Sequence, residues 1–253
     1  ERNKVKALIL AGGKGTRIME ETITKPKPMI EINGVPLIFH IIDYYSEYGI
    51  NEIFILAGYK MNYFIEYFEK NGFIKKGEFF EFNNKTKVCV LDTGDETSTG
   101  GRILLAKEYV DDNFLLTYGD GLSNVNIQKL VSFHNKRSQL ATVTAVRPTA
   151  RFGELELSGN QVVKFQEKPQ VHEGWINGGF FVMEPGFFEL IDNDQTILER
   201  SPLERAAEMG ELVAYQHEGF WQCMDTLRDK NRLEGLWESE QAPWAVWKQP
   251  ALV

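Results

Sequence analysis

Apolar positions in roughly the first 150 residues form short continuous runs that alternate with segments of helical periodicity. Continuous apolar runs of this length are typical of parallel strands that are covered on both faces. They predict strands at 5–10, 53–57, 88–91, 113–117 and 141–146, with helices at 36–48, 62–69, 101–109 and 126–136 between them. The alternation predicts an α/β fold with a Rossmann-like, mostly parallel sheet sandwiched by helices.

The pattern changes after Pro148, where short apolar segments are separated by polar turns. Segments 153–157, 162–166 and 179–183 predict antiparallel strands that extend the same sheet, and 226–238 predicts a last helix. Residues 70–87 have the least regular pattern and predict a surface excursion. No repeat or linker divides the chain, so we expect a single domain over 1–253, formed by the parts 1–147 and 148–253.

Composition and charge argue against two classes of partner, nucleic acids and membranes. The 253 residues carry a formal net charge of −8 and no long basic block, which argues against a nucleic-acid partner. No apolar run approaches the ~18 residues of a membrane span, and the run from Val5 to Ala11 is too short for a signal peptide. Cys89 and Cys223 have neither metal-ligand nor disulfide spacing, so we expect free thiols in a cytoplasmic protein.

The most informative segment is the glycine-rich loop that follows the first predicted strand. Glycine allows a close backbone approach to a ligand, and loops at the carboxyl end of parallel strands bind nucleotides. The loop is neither a P-loop, because Gly15 follows Lys14, nor a dinucleotide fingerprint, because Ile18 replaces the third glycine. Its candidate nucleotide-binding residues are Leu10, Ala11, Gly12, Gly13, Gly15, Thr16 and Arg17.

Cations and carboxylates follow at separate points along the chain. Pro26 and Pro28 predict that Lys27 lies in an extended, non-helical segment close to Arg17, where both could face a polyphosphate. Asp120 ends an apolar strand between two glycines, and Asp225 lies where a strand gives way to a helix. Both could bind Mg²⁺, but a turn explains Asp120 equally well, and either Asp225 or Thr226 could instead be a helix N-cap.

Gly13 to Arg17, with Pro26 and Lys27 after a short spacer, resembles the signature of the sugar-phosphate nucleotidyltransferases. The resemblance implies that Arg17 and Lys27 contact the nucleotide triphosphate and that Asp120 and Asp225 hold Mg²⁺ on opposite sides. It further implies that one side of the active site binds the sugar phosphate. There Lys168 contacts the phosphate and Glu167 the sugar hydroxyls, beside Tyr118, Gly121, Asn177 and Gly178.

The resemblance covers nearly the whole chain and is greatest to glucose-1-phosphate cytidylyltransferases. Thr99, Gly100 and Arg102 belong to a segment similar to that subgroup, which implies that they lie along the base of CTP and that Arg102 and backbone groups read the pyrimidine. Segment 70–87 is shorter than in those relatives, and Glu154 replaces a small residue. The implied partners are CTP and glucose 1-phosphate, and relatives form homo-oligomers. The same chemistry with dTTP, UTP or another phosphorylated acceptor stays open, as does a non-catalytic sugar-nucleotide sensor.

Overall fold

A computed structural model describes residues 5–83, 85–148, 154–166 and 174–248. Its strands are β1 Lys6–Ala11, β2 Glu31–Ile32, β3 Val35–Pro36, β4 Glu52–Ala57, β5 Ile74–Lys76, β6 Phe79–Glu81, β7 Lys87–Asp92, β8 Phe114–Tyr118, β9 Gly121–Ser123, β10 Ala141–Val146, β11 Glu154–Ser158, β12 Gln161–Gln166, β13 Ile176–Asn177, β14 Phe181–Met183, β15 Leu212–His217 and β16 Trp221–Cys223. Its α-helices are α1 Met19–Thr22, α2 Leu37–Glu47, α3 Asn62–Lys70, α4 Thr99–Leu105, α5 Ile127–Asn135, α6 Ser201–Glu208 and α7 Leu227–Glu238.

The main sheet has the strand order β13-β10-β14-β8-β1-β4-β7-β6-β5, with β15 paired to β10. Its centre is parallel, because β1 pairs with β4 on one side and with β8 on the other, and β4 pairs with β7. Successive β1 side chains enter different cores: Ile9 packs with Ile38 of α2, and Leu8 packs with Ile103 of α4. The predicted Rossmann-like sheet between two helical layers is therefore confirmed.

The second part of the chain differs from the prediction in two respects. β14 joins the main sheet antiparallel, as expected, and so does β13, which the pattern did not predict; β11 and β12, in contrast, pair with each other in a two-stranded sheet that is separate among the described residues. The tight turn at 159–160 returns the chain directly onto β11, so the two strands satisfy each other's hydrogen bonds. β15, which the pattern did not predict, extends the main sheet by pairing parallel to β10.

Segment 70–87 is more regular than the sequence indicated. Strands β5 and β6 form an antiparallel hairpin that pairs with β7 and continues the main sheet to its edge. Phe80 anchors the hairpin, because it is buried and its ring stacks on Phe68 with centroids 4.8 Å apart. The helix predicted at 101–109 also divides, into α4 and a 3-10 turn at Lys107–Tyr109. Within the described ranges, no helix is both long and apolar enough to cross a bilayer.

The carboxyl-terminal tail packs into the core through Trp244, which is fully buried. The indole Nε1 of Trp244 donates a hydrogen bond of 3.2 Å to Nδ1 of His40 on α2. Accepting this bond requires a neutral imidazole with its proton on Nε2. Burial lowers the pKa of His40 to about 4, and Lys248 acts in the same direction. His40 therefore joins the tail to α2 only in its neutral form.

We expect this buried histidine to make the fold sensitive to acid. Its pKa is lower in the folded than in the unfolded chain, so stability is lost as pH falls from 6.5 towards about 4. The loss attributable to His40 should reach about 3 kcal/mol at the acid end. His40→Gln keeps an acceptor for Trp244 and should remove this part of the pH dependence. Urea unfolding of both proteins at pH 7 and pH 4.5 measures the difference, and parallel pH profiles would contradict it.

Candidate active site

Two adjoining cavities lie at the carboxyl ends of β1 and β8. The larger, of about 510 Å³, is lined by the glycine-rich loop, Lys27, Pro28 and the start of α4. The smaller, of about 270 Å³, is lined by Asn177, Gly178, Gly121 and Trp221. Both reach Arg17, Tyr118, Asp120, Glu199 and Asp225. This is the edge at which an open parallel sheet binds its ligands, so the topology places the two cavities where a nucleotide and a second substrate could meet.

Glycines bring the loop backbone close to its neighbours. Gly15 has φ +60°, and a Cβ there would lie 2.8 Å from Cγ2 of Thr22. The Thr22 hydroxyl donates a hydrogen bond of 3.0 Å to the carbonyl of Gly15, which fixes the loop against α1. Directly after the neighbouring strand β8, the Gly119 N–H donates to the Leu10 carbonyl at 2.8 Å, and a Cβ at Gly119 would collide with the same oxygen. Both positions therefore require glycine.

The floor shared by the two cavities holds two carboxylates and two cations. Nζ of Lys27 donates to Oδ2 of Asp120 at 2.8 Å and also to Oδ1 of Asp225. Arg17 NH1 donates to the other Asp225 oxygen, Oδ2, at 2.6 Å. Burial lowers the pKa of Lys27, but the two carboxylates outweigh it and raise the net value. Burial likewise raises the pKa of Asp225, but Lys27 and Arg17 outweigh it, so Asp225 is ionised and Lys27 is charged near neutral pH.

Backbone hydrogen bonds at the start of α7 decide whether Asp225 or Thr226 is its N-cap, which the sequence left open. Thr226 is the N-cap of α7, since its hydroxyl accepts from the Asp229 N–H and the Asp229 carboxylate accepts from the Thr226 N–H. Asp225 is therefore free to face the cavity. The Met224 N–H donates to the Asp120 carbonyl at 2.8 Å, which holds the two aspartates side by side.

The predicted extended conformation around Lys27 is only half right. Pro26 is extended, with φ −65° and ψ 147°, but Lys27 begins a 3-10 turn that ends at Met29. The turn is possible because Pro28, its second residue, lies where no intrahelical N–H is needed. It directs Lys27 across the cavity floor towards Asp120, 93 positions later in the chain.

The carboxylates offer ligands that suit a divalent cation. Oxygens of Asp120 and Asp225 and the sulfur of Cys223 lie within 4.8 Å of one another. Burial, first of all, raises the pKa of the Cys223 thiol, and the two carboxylates act in the same direction, so the thiol stays protonated. A protonated thiol is a poor ligand, whereas carboxylate oxygens are the ligands that Mg²⁺ prefers. The residues present therefore fit an oxygen-bound metal ion.

A hydrogen-bonded chain links the two cavities through Glu199. One Glu199 oxygen accepts from the Thr99 hydroxyl at 2.8 Å, and the other accepts from the Tyr118 hydroxyl at 2.9 Å. The Tyr118 oxygen in turn accepts from the amide of Asn177 at 3.0 Å. Glu199 is not among the candidate residues that the sequence indicates, because it lies in no glycine-rich, proline-flanked or strand-end motif. Only the tertiary fold shows its position.

Most of the candidate residues lie at one of the two cavities. The glycine-rich loop, Arg17, Lys27, Thr99, Asp120 and Asp225 converge on the larger cavity, and Tyr118, Gly121, Asn177 and Gly178 on the smaller. Gly100 lies at the start of α4, where its N–H donates to the Thr196 carbonyl. Arg102 borders the larger cavity, but its guanidinium is buried beneath the loop and bonded to protein oxygens. Glu167 and Lys168 lie outside the described residues.

The glycine-rich loop and the ion cluster at the end of a parallel sheet define a nucleotide-binding α/β protein. The family model described as nucleotidyl transferase matches residues 6–229. The chain belongs to this family of nucleotidyltransferases. Glucose-1-phosphate cytidylyltransferase of Salmonella typhi is 48% identical over 258 residues, which cover 96% of this chain and 100% of the relative.

A curated relative of lower identity and two solved structures carry names of other proteins. The mannose-1-phosphate guanylyltransferase catalytic subunit beta of Dictyostelium discoideum is 30% identical over 92% of this chain and 64% of its own length. Among solved structures, HddC from Yersinia pseudotuberculosis has a TM-score of 0.71 at 22% identity, covering 92% of this chain and 99% of its own. The inositol-1-phosphate CTP transferase of T. maritima has a TM-score of 0.69 at 16% identity, covering 97% and 99%.

Proposed function

We propose that this protein joins CTP and glucose 1-phosphate to form CDP-glucose and pyrophosphate. The observation that carries the proposal is the ion cluster, in which Lys27 lies between Asp120 and Asp225 with Arg17 beside them. The cluster borders a cavity of about 510 Å³, a size typical of small-molecule sites. The 48% identity to a glucose-1-phosphate cytidylyltransferase supports this choice of substrates over the guanylyltransferases, at 30%.

The reaction requires alignment and charge neutralisation rather than a covalent intermediate. An oxygen of the sugar phosphate attacks the α-phosphorus of CTP in line, and pyrophosphate leaves with the bonding electrons. In the proposal, Arg17 and Lys27 hold the triphosphate and neutralise the charge that develops on the leaving group. Lys168 is proposed, from the family resemblance, to hold the incoming phosphate.

The carboxylates of Asp120 and Asp225 would hold Mg²⁺. When bound, the ion supplies positive charge to the phosphate oxygens and helps to orient them. The two oxygens that face Lys27 are suited to this, because both carboxylates already turn towards a cation.

The smaller cavity is the proposed sugar side. The Asn177 amide can donate to and accept from sugar hydroxyls, and the Tyr118 oxygen, whose proton is donated to Glu199, can accept from one. Glu167 is proposed from the resemblance to contact the same hydroxyls. The base is proposed, from the resemblance, to lie beside Thr99 and Gly100 at the start of α4.

The test is pyrophosphate release by the purified protein with Mg²⁺ and glucose 1-phosphate, with CTP, UTP, dTTP, ATP and GTP offered separately. We expect release with CTP to exceed that with any other triphosphate by about tenfold or more, because unpaired polar groups penalise the wrong base. Preferred use of UTP or dTTP would keep the chemistry and reject the assignment of the base. No release with any of the five, together with measurable CTP binding, would indicate another acceptor or a non-catalytic sensor.

Two further expectations stay predictions: a homo-oligomeric assembly, from the resemblance, and a cytoplasmic location, from the cysteine usage. Cys89 is buried and Cys223 is partly buried, and both are free thiols, which is consistent with a reducing compartment.

A further inference from the structure

Arg102 is a buried cation that belongs to the protein interior more than to the cavity. It lies on α4 and is only 4% exposed. Its two terminal nitrogens carry four N–H bonds. NH1 donates to the Gly94 carbonyl at 2.6 Å and to the Thr93 hydroxyl at 2.8 Å, with the Ala57 carbonyl at 3.4 Å. NH2 donates to the Gly12 carbonyl at 3.1 Å, with the Asp95 carbonyl at 3.4 Å.

These acceptors come from three neighbouring strands of the main sheet. Gly12 follows β1, Ala57 ends β4, and residues 93–95 follow β7. The strands pair in the order β1, β4, β7, so one guanidinium joins the carboxyl ends of three adjacent parallel strands.

Glycine forms the space that the guanidinium occupies. A Cβ on Gly12 would lie 2.1 Å from the central carbon of the Arg102 guanidinium. A Cβ on Gly58 would lie 2.4 Å from its NH1. The absence of side chains at these two positions therefore allows the loops after β1 and β4 to close on Arg102.

The contact to Gly12 sets the direction of a backbone donor in the nucleotide loop. In a planar trans peptide, the carbonyl of one residue and the N–H of the next point in opposite directions. Holding the Gly12 carbonyl against NH2 therefore turns the N–H of Gly13 away from the guanidinium. The same geometry applies to the Gly94 carbonyl and the N–H of Asp95. Gly13 lines the larger cavity, so the orientation of its peptide matters for a bound phosphate.

We propose that Arg102 is a positioning residue that holds the nucleotide loop in its binding conformation, and that it does not read the pyrimidine base. The proposal rests on the proposed function, because it assumes that the glycine-rich loop binds the triphosphate. Its basis is that Arg102 already directs both terminal nitrogens at oxygens of the protein. A base-reading arginine would need N–H groups that are free to meet the base.

Arg102→Lys and Arg102→Met test the role kinetically. Lysine keeps a charge but cannot reach the loops after β1 and β7 at once, so both variants should raise the KM for CTP by about tenfold or more. The KM for glucose 1-phosphate should change by less than about threefold, because Arg102 borders only the larger cavity. The ratio of kcat/KM for CTP to that for UTP should stay within about threefold of wild type. A collapse of that ratio would show that Arg102 reads the base and would overturn the proposal.

A second measurement does not depend on activity. Lys14 and Arg17 lie in the glycine-rich loop with exposed side chains, so trypsin can report on its order. Cleavage after these two residues should be at least about fivefold faster in Arg102→Met than in wild type under native conditions. Thermal unfolding of each variant separates loosening of the loop from loss of the fold. Unchanged cleavage in a folded Arg102→Met protein would overturn the proposal.

Gly58→Ala disturbs the contact between Arg102 and the Gly94 carbonyl, because a Cβ there would lie 2.4 Å from both Arg102 NH1 and the Gly94 oxygen, and neither glycine lines the larger cavity. It should reproduce the raised KM for CTP and the faster cleavage. Gly235→Ala is the matched control, because a Cβ there meets nothing within 4 Å, and it should leave both unchanged. If wild type releases no pyrophosphate with any triphosphate, the proposed function fails. The cleavage assay then still decides whether Arg102 orders the loop.

Discussion

Asp225→Asn is expected to reduce kcat by at least about a thousandfold while the protein stays folded. The carboxylate is ionised and accepts hydrogen bonds from both Lys27 and Arg17, so its charge organises the cations at the cavity floor. An amide has nearly the same shape but no charge to hold a divalent ion. Pyrophosphate release under saturating CTP and glucose 1-phosphate measures the change.

The matched control for Asp225→Asn is Asp111→Asn. The Asp111 side chain is 82% exposed and pairs with Lys6, at the opposite end of β1. Its loss should change kcat by less than about twofold. Circular dichroism and a melting temperature within about 5 °C of wild type would show that Asp225→Asn is folded. Near-normal turnover in that folded variant would remove Asp225 from the metal site.

Lys27→Met is expected to lower kcat by about a hundredfold or more, because it removes the cation proposed to meet the triphosphate. The side chain is only 12% exposed and bridges Asp120 and Asp225, so methionine fills similar space without the charge. Lys129→Met, on the exposed face of α5, is the control for the same chemical change and should keep wild-type turnover. Steady-state pyrophosphate release measures both.

The same variant should bind divalent cations more tightly in the absence of nucleotide. The Lys27 ammonium and a metal ion would use the same carboxylate oxygens, so removing the ammonium should lower the Kd for Mn²⁺ by about tenfold. Water-proton relaxation with Mn²⁺ alone measures this without any turnover. Weaker Mn²⁺ binding in Lys27→Met would mean that Lys27 helps to build the metal site instead of competing for it.

Local sequence was sufficient for the elements that depend on near neighbours. The continuous apolar runs predicted the strands of the parallel centre, and the glycine-rich loop after β1 lies at the cavity, as its residues indicated. The positions of Asp120 and Asp225 after apolar segments also indicated the correct end of the sheet. Such features depend on side-chain periodicity and on glycine or proline chemistry within about ten residues, which a linear pattern contains.

Edge strands were harder to predict, because their partners are not encoded in their own pattern. The pattern of residues 70–87 predicts an irregular excursion and that of 212–217 predicts no strand, although β6 pairs with β7 and β15 pairs with β10 in the main sheet. β11 and β12 were recognised as strands but assigned to the wrong sheet. Their own alternation is compatible with either partner, and only the packing of the complete chain selects one.

The sequence by itself determined the class of fold, the glycine-rich loop and the types of residue available for phosphate and metal chemistry. Only the tertiary structure decided how they combine. It brings Lys27 to Asp225 across 198 positions, links Thr99 to Glu199 across 100, and buries Arg102 among the ends of three strands. The physical reason is that these contacts depend on strand order and on the path of each loop. Periodicity within a segment carries no information about either, whereas packing and backbone hydrogen bonding across the sheet fix both.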